Sequence, residues 1–211
     1  MDAATPQPRK RGRPPKALDA PSETREALVR AGLVALTEKG FSATGIDEVL
    51  SGVGVPKGSF YHYFKSKEAF GAELIDQYAG YFAGRLDRFF ADAGRSPLLR
   101  LEAFTRAAEE AIARHDFRRG CLVGNLGQEM GALPESFRQR LNDVFADWQA
   151  RTAACLRAAQ AAGEIGRSHD PDQLAAFFWI GWEGAVLRAK LERSNAPLRA
   201  FAEGFFALVR R

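Results

Sequence analysis

The chain has 211 residues, of which 46% are apolar and 27% charged, with a net charge of +4. That composition fits a soluble globular protein with one large domain, or one small and one medium domain. No apolar run nears the roughly 18 residues of a membrane span. The polar N-terminus lacks a signal-peptide core, so the expected setting is the cytoplasm, away from any membrane. Reduced thiols are expected there, and Cys121, Cys155 and three scattered histidines give no zinc spacing. Neither metal nor cofactor is implied.

Residues 1–21 are rich in proline and charge and should be disordered in isolation. Arg9, Lys10, Arg11, Arg13 and Lys16 face only Asp2 among residues 1–18, a stretch that therefore has a charge of +4. These residues carry the entire basic excess. "KRGRPPK" (10–16) resembles an AT-hook, with Arg11, Gly12, Arg13 and Pro14 at its centre. Such a strand fits a narrow A·T minor groove, where the potential is most negative. The plainer alternative is an unspecific arm that releases counterions.

From Ser22 onward the chain reads as all-α, with about nine helices. A first helix is predicted over 22–39, capped by Ser22 and stopped by Gly40. A second starts at "TGID", with Thr44 and Asp47 as a capping box, and ends near "SGVG". Pro56 opens a third, and Ser66 caps a fourth that runs towards Ala91. Two short helices around a glycine-containing turn outline a helix-turn-helix. Its second helix enters the major groove with its first residues, here Lys57, Gly58, Ser59, Tyr61, His62 and Tyr63. Lys57 can bond guanine acceptors or phosphate, and the hydroxyls can reach phosphate or base edges. Thr44 and Lys67 sit at helix starts that favour a phosphate oxygen. Phe60 and Phe64 should pack inward.

Further helices are predicted at 97–115, 121–130 and 134–162, then from Pro171 behind the cap Asp170, and from Pro197. The long one carries Phe137, Leu141, Val144, Phe145, Trp148, Thr152, Cys155, Leu156 and Ala159 on one stripe. Cys155 reads as core. The helix from Pro171 carries Leu174, Phe178, Trp182, Val186 and Ala189, and the last one Phe201, Phe205 and Leu208.

In "RRGCLVGNLGQEMG" (118–131), Cys121 falls in the first turn of a short helix beside Arg118 and Arg119. Those charges and the helix dipole favour its thiolate. Asn125 and Gln128 follow on the same face, so the segment can line a pocket. A buried, inert cysteine is the plainer reading. In "GWEGA" (181–185), small residues let helices approach closely, which suggests a dimer interface or intrachain core. Glu183 is a candidate partner for Lys190 or Arg188.

"GFSATGIDEVLSGVGVPKGSFYHYFKSKEAF" (40–70) resembles the DNA-binding region of the tetracycline-repressor (TetR) family of bacterial regulators. The match lies in Thr44, the Gly54–Val55 turn, Lys57–Gly58, "YHYF" (61–64) and Lys67; Gly45 departs from it. Residues 115–138 and 178–192 are similar to a branch of that family that responds to acrylate and to electrophiles. The resemblance implies a basic arm (1–21), a helix-turn-helix DNA-binding domain (22–67) and a ligand-sensing and dimerisation domain (68–211). It implies a homodimer that represses transcription from a palindromic double-stranded operator. It also implies that Cys121 senses electrophiles with help from Lys190. Trp182 and Glu183 complete the candidate sensing residues.

Two induction routes stay open on this reading. Acrylate or a similar small unsaturated acid binds reversibly, its carboxylate held by Arg, Lys or amides such as Asn125 and Gln128; or Cys121 is modified or oxidised. A cysteine enzyme would lack a partner base, His115 being the nearest in sequence, and would leave the helix-turn-helix unexplained. A purely architectural DNA binder would leave the second domain unexplained. No catalytic residue is expected.

Overall fold

The computed structural model describes residues 21–210, which form nine α-helices. They are α1 (Pro21–Lys39), α2 (Ile46–Val53), α3 (Lys57–Tyr63), α4 (Lys67–Phe90), α5 (Pro97–Arg114), α6 (Leu122–Gln128), α7 (Glu135–Ala161), α8 (Pro171–Glu192) and α9 (Ala196–Val209). Helices α1 to α3 and the start of α4 make a small head. The remainder packs chiefly as α7 on α8, α8 on α9, and α4 and α5 on α7. One antiparallel bridge, Ile165 with Arg210, ties the loop before α8 to the end of α9.

Helix ends follow local chemistry. Gly40 ends α1 at φ +83° and Gly54 ends α2 at φ +69°, a region that costs other residues a Cβ clash. The Ser66 hydroxyl accepts from the Ala69 amide at 3.0 Å, and Asp170 accepts from the Asp172 and Gln173 amides. A distant group caps α5: the Glu164 carboxylate takes the Leu98 amide at 2.9 Å and the Ser96 hydroxyl.

Some predicted caps differ. Helix α1 begins at Pro21, so Ser22 lies inside it. Gly45, not Thr44, precedes α2; Thr44 is buried, and its hydroxyl donates to the Gly40 carbonyl at 2.6 Å. A side chain satisfied backwards onto α1 cannot cap forwards, and Asp47 turns to Lys57 instead. Pro56 is the cap residue of α3 rather than its first residue.

The core of the larger part is aromatic. Trp148 stacks near Phe82 (4.3 Å between centroids) and Trp179 (4.8 Å), and the Trp179 indole N–H donates to Thr152 at 3.0 Å. Burying each such ring stabilises by about 2–3 kcal/mol. The α7 stripe is buried except for Phe145, and the α8 stripe is buried throughout. Cys155 lies in that core, its thiol donating to the Pro97 carbonyl at 3.2 Å. Leu208 departs from expectation and is exposed.

Candidate functional site

The head separates its aromatic residues by face. Phe60 and Phe64 are buried and meet Phe70 of α4 at 5.3 and 4.6 Å, which seats α3 on the head. Lys57, Gly58, Tyr61 and His62 face solvent, while Ser59 and Tyr63 are half-buried. The space around Gly58 and Gly45 is open, so neither glycine is demanded by packing within the chain. The Lys57 ammonium bonds Asp47 across the turn at 2.8 Å, and that hydrogen bond raises its pKa. Lys67 bonds the Phe41 carbonyl at 2.9 Å and lies 4.5 Å from the Phe41 ring centroid, so its ammonium joins α4 to the α1–α2 corner. Thr44 offers neither a free hydroxyl nor a free amide, since the latter bonds Phe41. Arg11, Gly12, Arg13 and Pro14 lie outside the described residues.

Below the head, α1, α4, α5, α8 and the loop before α6 line a cavity of about 600 Å³. Helix α4 supplies Tyr78, Tyr81, Phe82 and Arg85, spaced i, i+3, i+4, i+7 on one face. Cys121, Trp182 and Glu183 also line it. Cys121 is the cap residue of α6 rather than part of its first turn, and its Sγ accepts from the Gly124 amide at 3.4 Å. Burial and the neighbouring Glu183 hold the thiol well above its usual range. This corrects the expected thiolate: Arg118 is exposed, and Arg119 pairs with Glu38 at 3.3 Å. Burial raises Glu183 to about 7, and a hydrogen bond with Cys121 opposes that rise. Its carboxylate rests on Gly124, where an added Cβ would stand 2.0 Å from Oε2. Tyr78 bonds Cys121 too, and burial pushes its phenol well up.

Three expected pocket residues turn away. The Asn125 amide donates to the carbonyls of Leu36 (3.0 Å) and Thr37 (2.9 Å). Gln128 bonds back to Gly124 and is exposed. The Lys190 ammonium reaches the Thr37 and Glu38 carbonyls and Asn125 Oδ1, between 3.2 and 3.4 Å, and burial lowers its pKa. Glu183 thus pairs with neither Lys190 nor Arg188; the latter holds Glu192. The physical reason is the end of α1, whose last carbonyls have no partner within their helix. Asn125, Lys190 and the Gly120 amide satisfy them. At the other end of α6, Glu129 accepts the amides of Phe41 (3.0 Å) and Ser42 (2.7 Å). Sequence reading missed this clasp and the α4 stripe, although "YAGYFAGR" (78–85) carries the stripe's spacing openly.

A head with an exposed α3, joined through α6 to a cavity-bearing helical domain, is the architecture of a helix-turn-helix regulator. Residues 28–74 match the bacterial regulatory proteins of the tetR family, and residues 97–205 match the tetracyclin repressor-like C-terminal domain. The chain is 58% identical to the transcriptional regulator AcuR of Cereibacter sphaeroides, covering 96% of this chain and 92% of AcuR. It is 33% identical to the HTH-type transcriptional repressor NemR of Escherichia coli, covering 83% and 88%. The crystal structure of a regulatory protein TetR from Rhodobacter sphaeroides superposes with a TM-score of 0.86 at 59% identity, over 87% of this chain and 97% of that one. That of reduced E. coli NemR superposes at 0.80 and 30% identity, over 87% and 95%. The chain belongs to the TetR family and is a DNA-binding transcriptional regulator, not an enzyme. Among the described residues, no helix is long and apolar enough to cross a membrane.

Proposed function

We propose that the protein is a repressor that binds a palindromic operator as a homodimer and leaves it when acrylate or a related small unsaturated acid enters the cavity. The observation that carries this reading is the cavity itself. Its walls are largely apolar, its inner end holds Cys121 and Glu183, and it adjoins the donors that hold the last turn of α1. A ligand that shifts Gly120–Cys121 shifts the groups bonded to the head, and differential binding to two such states is what moves operator affinity.

The dimer reading draws on α8. Phe177, Ile180, Leu187 and Leu191 are exposed on one stripe with Gly184, and Ile180 and Leu191 are 73% and 76% accessible in the single chain. Gly181, by contrast, is used within the chain, lying against the Phe201 ring. For DNA, Lys57, Gly58, Ser59, Tyr61 and His62 form the major-groove face, Tyr63 and Lys67 support it, and the arm at 10–16 enters the adjacent minor groove. Thr44 acts indirectly, by fixing the corner before α2.

A second route has its own support. Cys121 opens onto the same cavity with the Glu183 carboxyl beside it to accept its proton, so electrophiles or oxidants could release the repressor by modifying the sulfur. Resting as a thiol, Cys121 favours reversible binding of a weak electrophile such as acrylate. A gel shift on a palindromic operator, paired with intact-mass measurement after acrylate, tests both. Release without added mass is expected. Release with the mass of an adduct establishes the covalent route, and failure to release overturns acrylate as inducer.

A further inference from the structure

We propose that Arg85 of α4 anchors the anionic end of a small monocarboxylate in the cavity. This rests on the ligand-binding reading above and names the residue that reads the ligand's charge.

The remaining charged groups of the cavity are already committed or lie at its edge. Arg119 is paired with Glu38 of α1. Glu183 shares its hydrogen bond with Cys121. Glu110, Arg114 and His115 are exposed, at the end of α5. Arg85 is half-buried in the wall, and among the described residues it makes no ion pair, hydrogen bond or ring contact. With no protein partner and its nitrogens still accessible, the guanidinium is free to present its fork to a carboxylate, a charge-assisted bidentate pair.

Position supports the assignment. Arg85 shares the α4 stripe with Tyr78, Tyr81 and Phe82, and Tyr78 bonds Cys121. Seven residues of helix separate Arg85 from Tyr78, about 10 Å of rise, and long helical side chains lean towards the N-terminus of their helix. A ligand held at Arg85 therefore lies along the aromatic wall, with its apolar end directed to the thiol. Arg114 and His115 stand exposed at the edge, so Arg85 is the half-buried, unpaired cation beside the aromatic wall, which suits a monoanion with a short hydrocarbon body.

The test is titration calorimetry of the full chain with acrylate and propionate, each against its uncharged amide. Propionate cannot alkylate a thiol, so it isolates reversible binding. Wild type should bind both acids at least about tenfold tighter than their amides. Arg85→Met should bring acid and amide to the same affinity, and Arg85→Lys should keep the charge but lose the fork, giving an intermediate preference. Circular dichroism checks the fold, and if Arg85→Met does not fold, Arg85→Lys decides. Equal binding of acid and amide by wild type, or an undiminished preference for acid in both variants, overturns the proposal. A charge preference that depends on Arg85, without release of operator by acrylate, upholds the anchor and instead defeats acrylate as the inducer.

Discussion

In the head, Lys57, Gly58, Tyr61 and His62 face solvent over a buried aromatic layer; in the larger helical part, Cys121, Glu183 and Tyr78 face inward. The head leaves its polar groups hydrated until DNA replaces the water, and the pKa of Lys57 is raised by the Asp47 carboxylate beside it. The cavity desolvates its polar groups in advance. Cys121, Tyr78 and Glu183 are all pushed towards their neutral forms. The head thus offers exposed charge, whereas the cavity holds buried groups that can change protonation state. Between them lies α6, bonded to α1 through Asn125 and to the α1–α2 corner through Glu129.

The largest break in this arrangement is expected at Gly40. Its φ of +83° disfavours any side chain, and an added Cβ would fall 1.6 Å from Glu129 Oε1. Gly40→Ala should destabilise the protein by about 2–4 kcal/mol, combining backbone strain with a lost charged hydrogen bond. Thermal denaturation measures it. A loss well under that range would mean the clasp can move aside, and the head would then not be rigidly held by α6.

Next in size is Lys57→Ala, which should weaken operator binding by about ten- to a hundredfold while leaving the dimer intact on size-exclusion chromatography. It removes a cation and also leaves Asp47 unpaired next to the DNA. Asp47→Asn sharpens the point: it frees Lys57 and should tighten binding. If Lys57→Ala disrupts the dimer, the recognition helix is not the free surface described.

How much of this the sequence showed differs between the regions for the same reason. The helices, the Phe60–Phe64 inner layer and the exposed face of α3 were readable, because the motif is continuous and acts within a few residues. The lining of the cavity was half readable. Cys121, Trp182 and Glu183 do line the cavity, but Asn125, Gln128 and Lys190 do not. Helical spacing gives the face of a residue and not what stands opposite it. Asn125 was expected to meet a ligand and instead meets the carbonyls of a helix 88 and 89 residues earlier. The sequence places Cys121 beside two arginines, yet burial, and after it Glu183, 62 positions later in the chain, keeps it a thiol.

The buried side of the comparison is sharpened by Glu183→Gln. Glu183 titrates near 7 when folded and near 4.5 in an unfolded chain, so the folded protein holds its proton more tightly. Its contribution is fully present below about pH 4.5 and lost as pH rises to about 7, an effect of about 1–3 kcal/mol. The melting temperature of wild type should therefore fall across that window relative to Glu183→Gln. Parallel profiles for the two proteins would mean that water reaches the carboxyl and the site is not desolvated.

The smallest effect on release by acrylate is expected at Cys121. Serine is a good cap residue, and in Cys121→Ser its hydroxyl can take the Gly124 amide that the sulfur now accepts. The substitution should leave folding intact and shift the acrylate concentration that releases operator by no more than about threefold, the worth of a weak contact. Release by N-ethylmaleimide should disappear in the same variant, since a hydroxyl is a far weaker nucleophile than a thiolate. In wild type that maleimide response should speed up by about tenfold per pH unit while the thiol remains mostly protonated. If acrylate release is lost together with the maleimide response and follows the same pH profile, Cys121 itself forms the bond. The cavity then acts as a reaction chamber, and its protonated thiol is a brake that Glu183 lifts by accepting the proton.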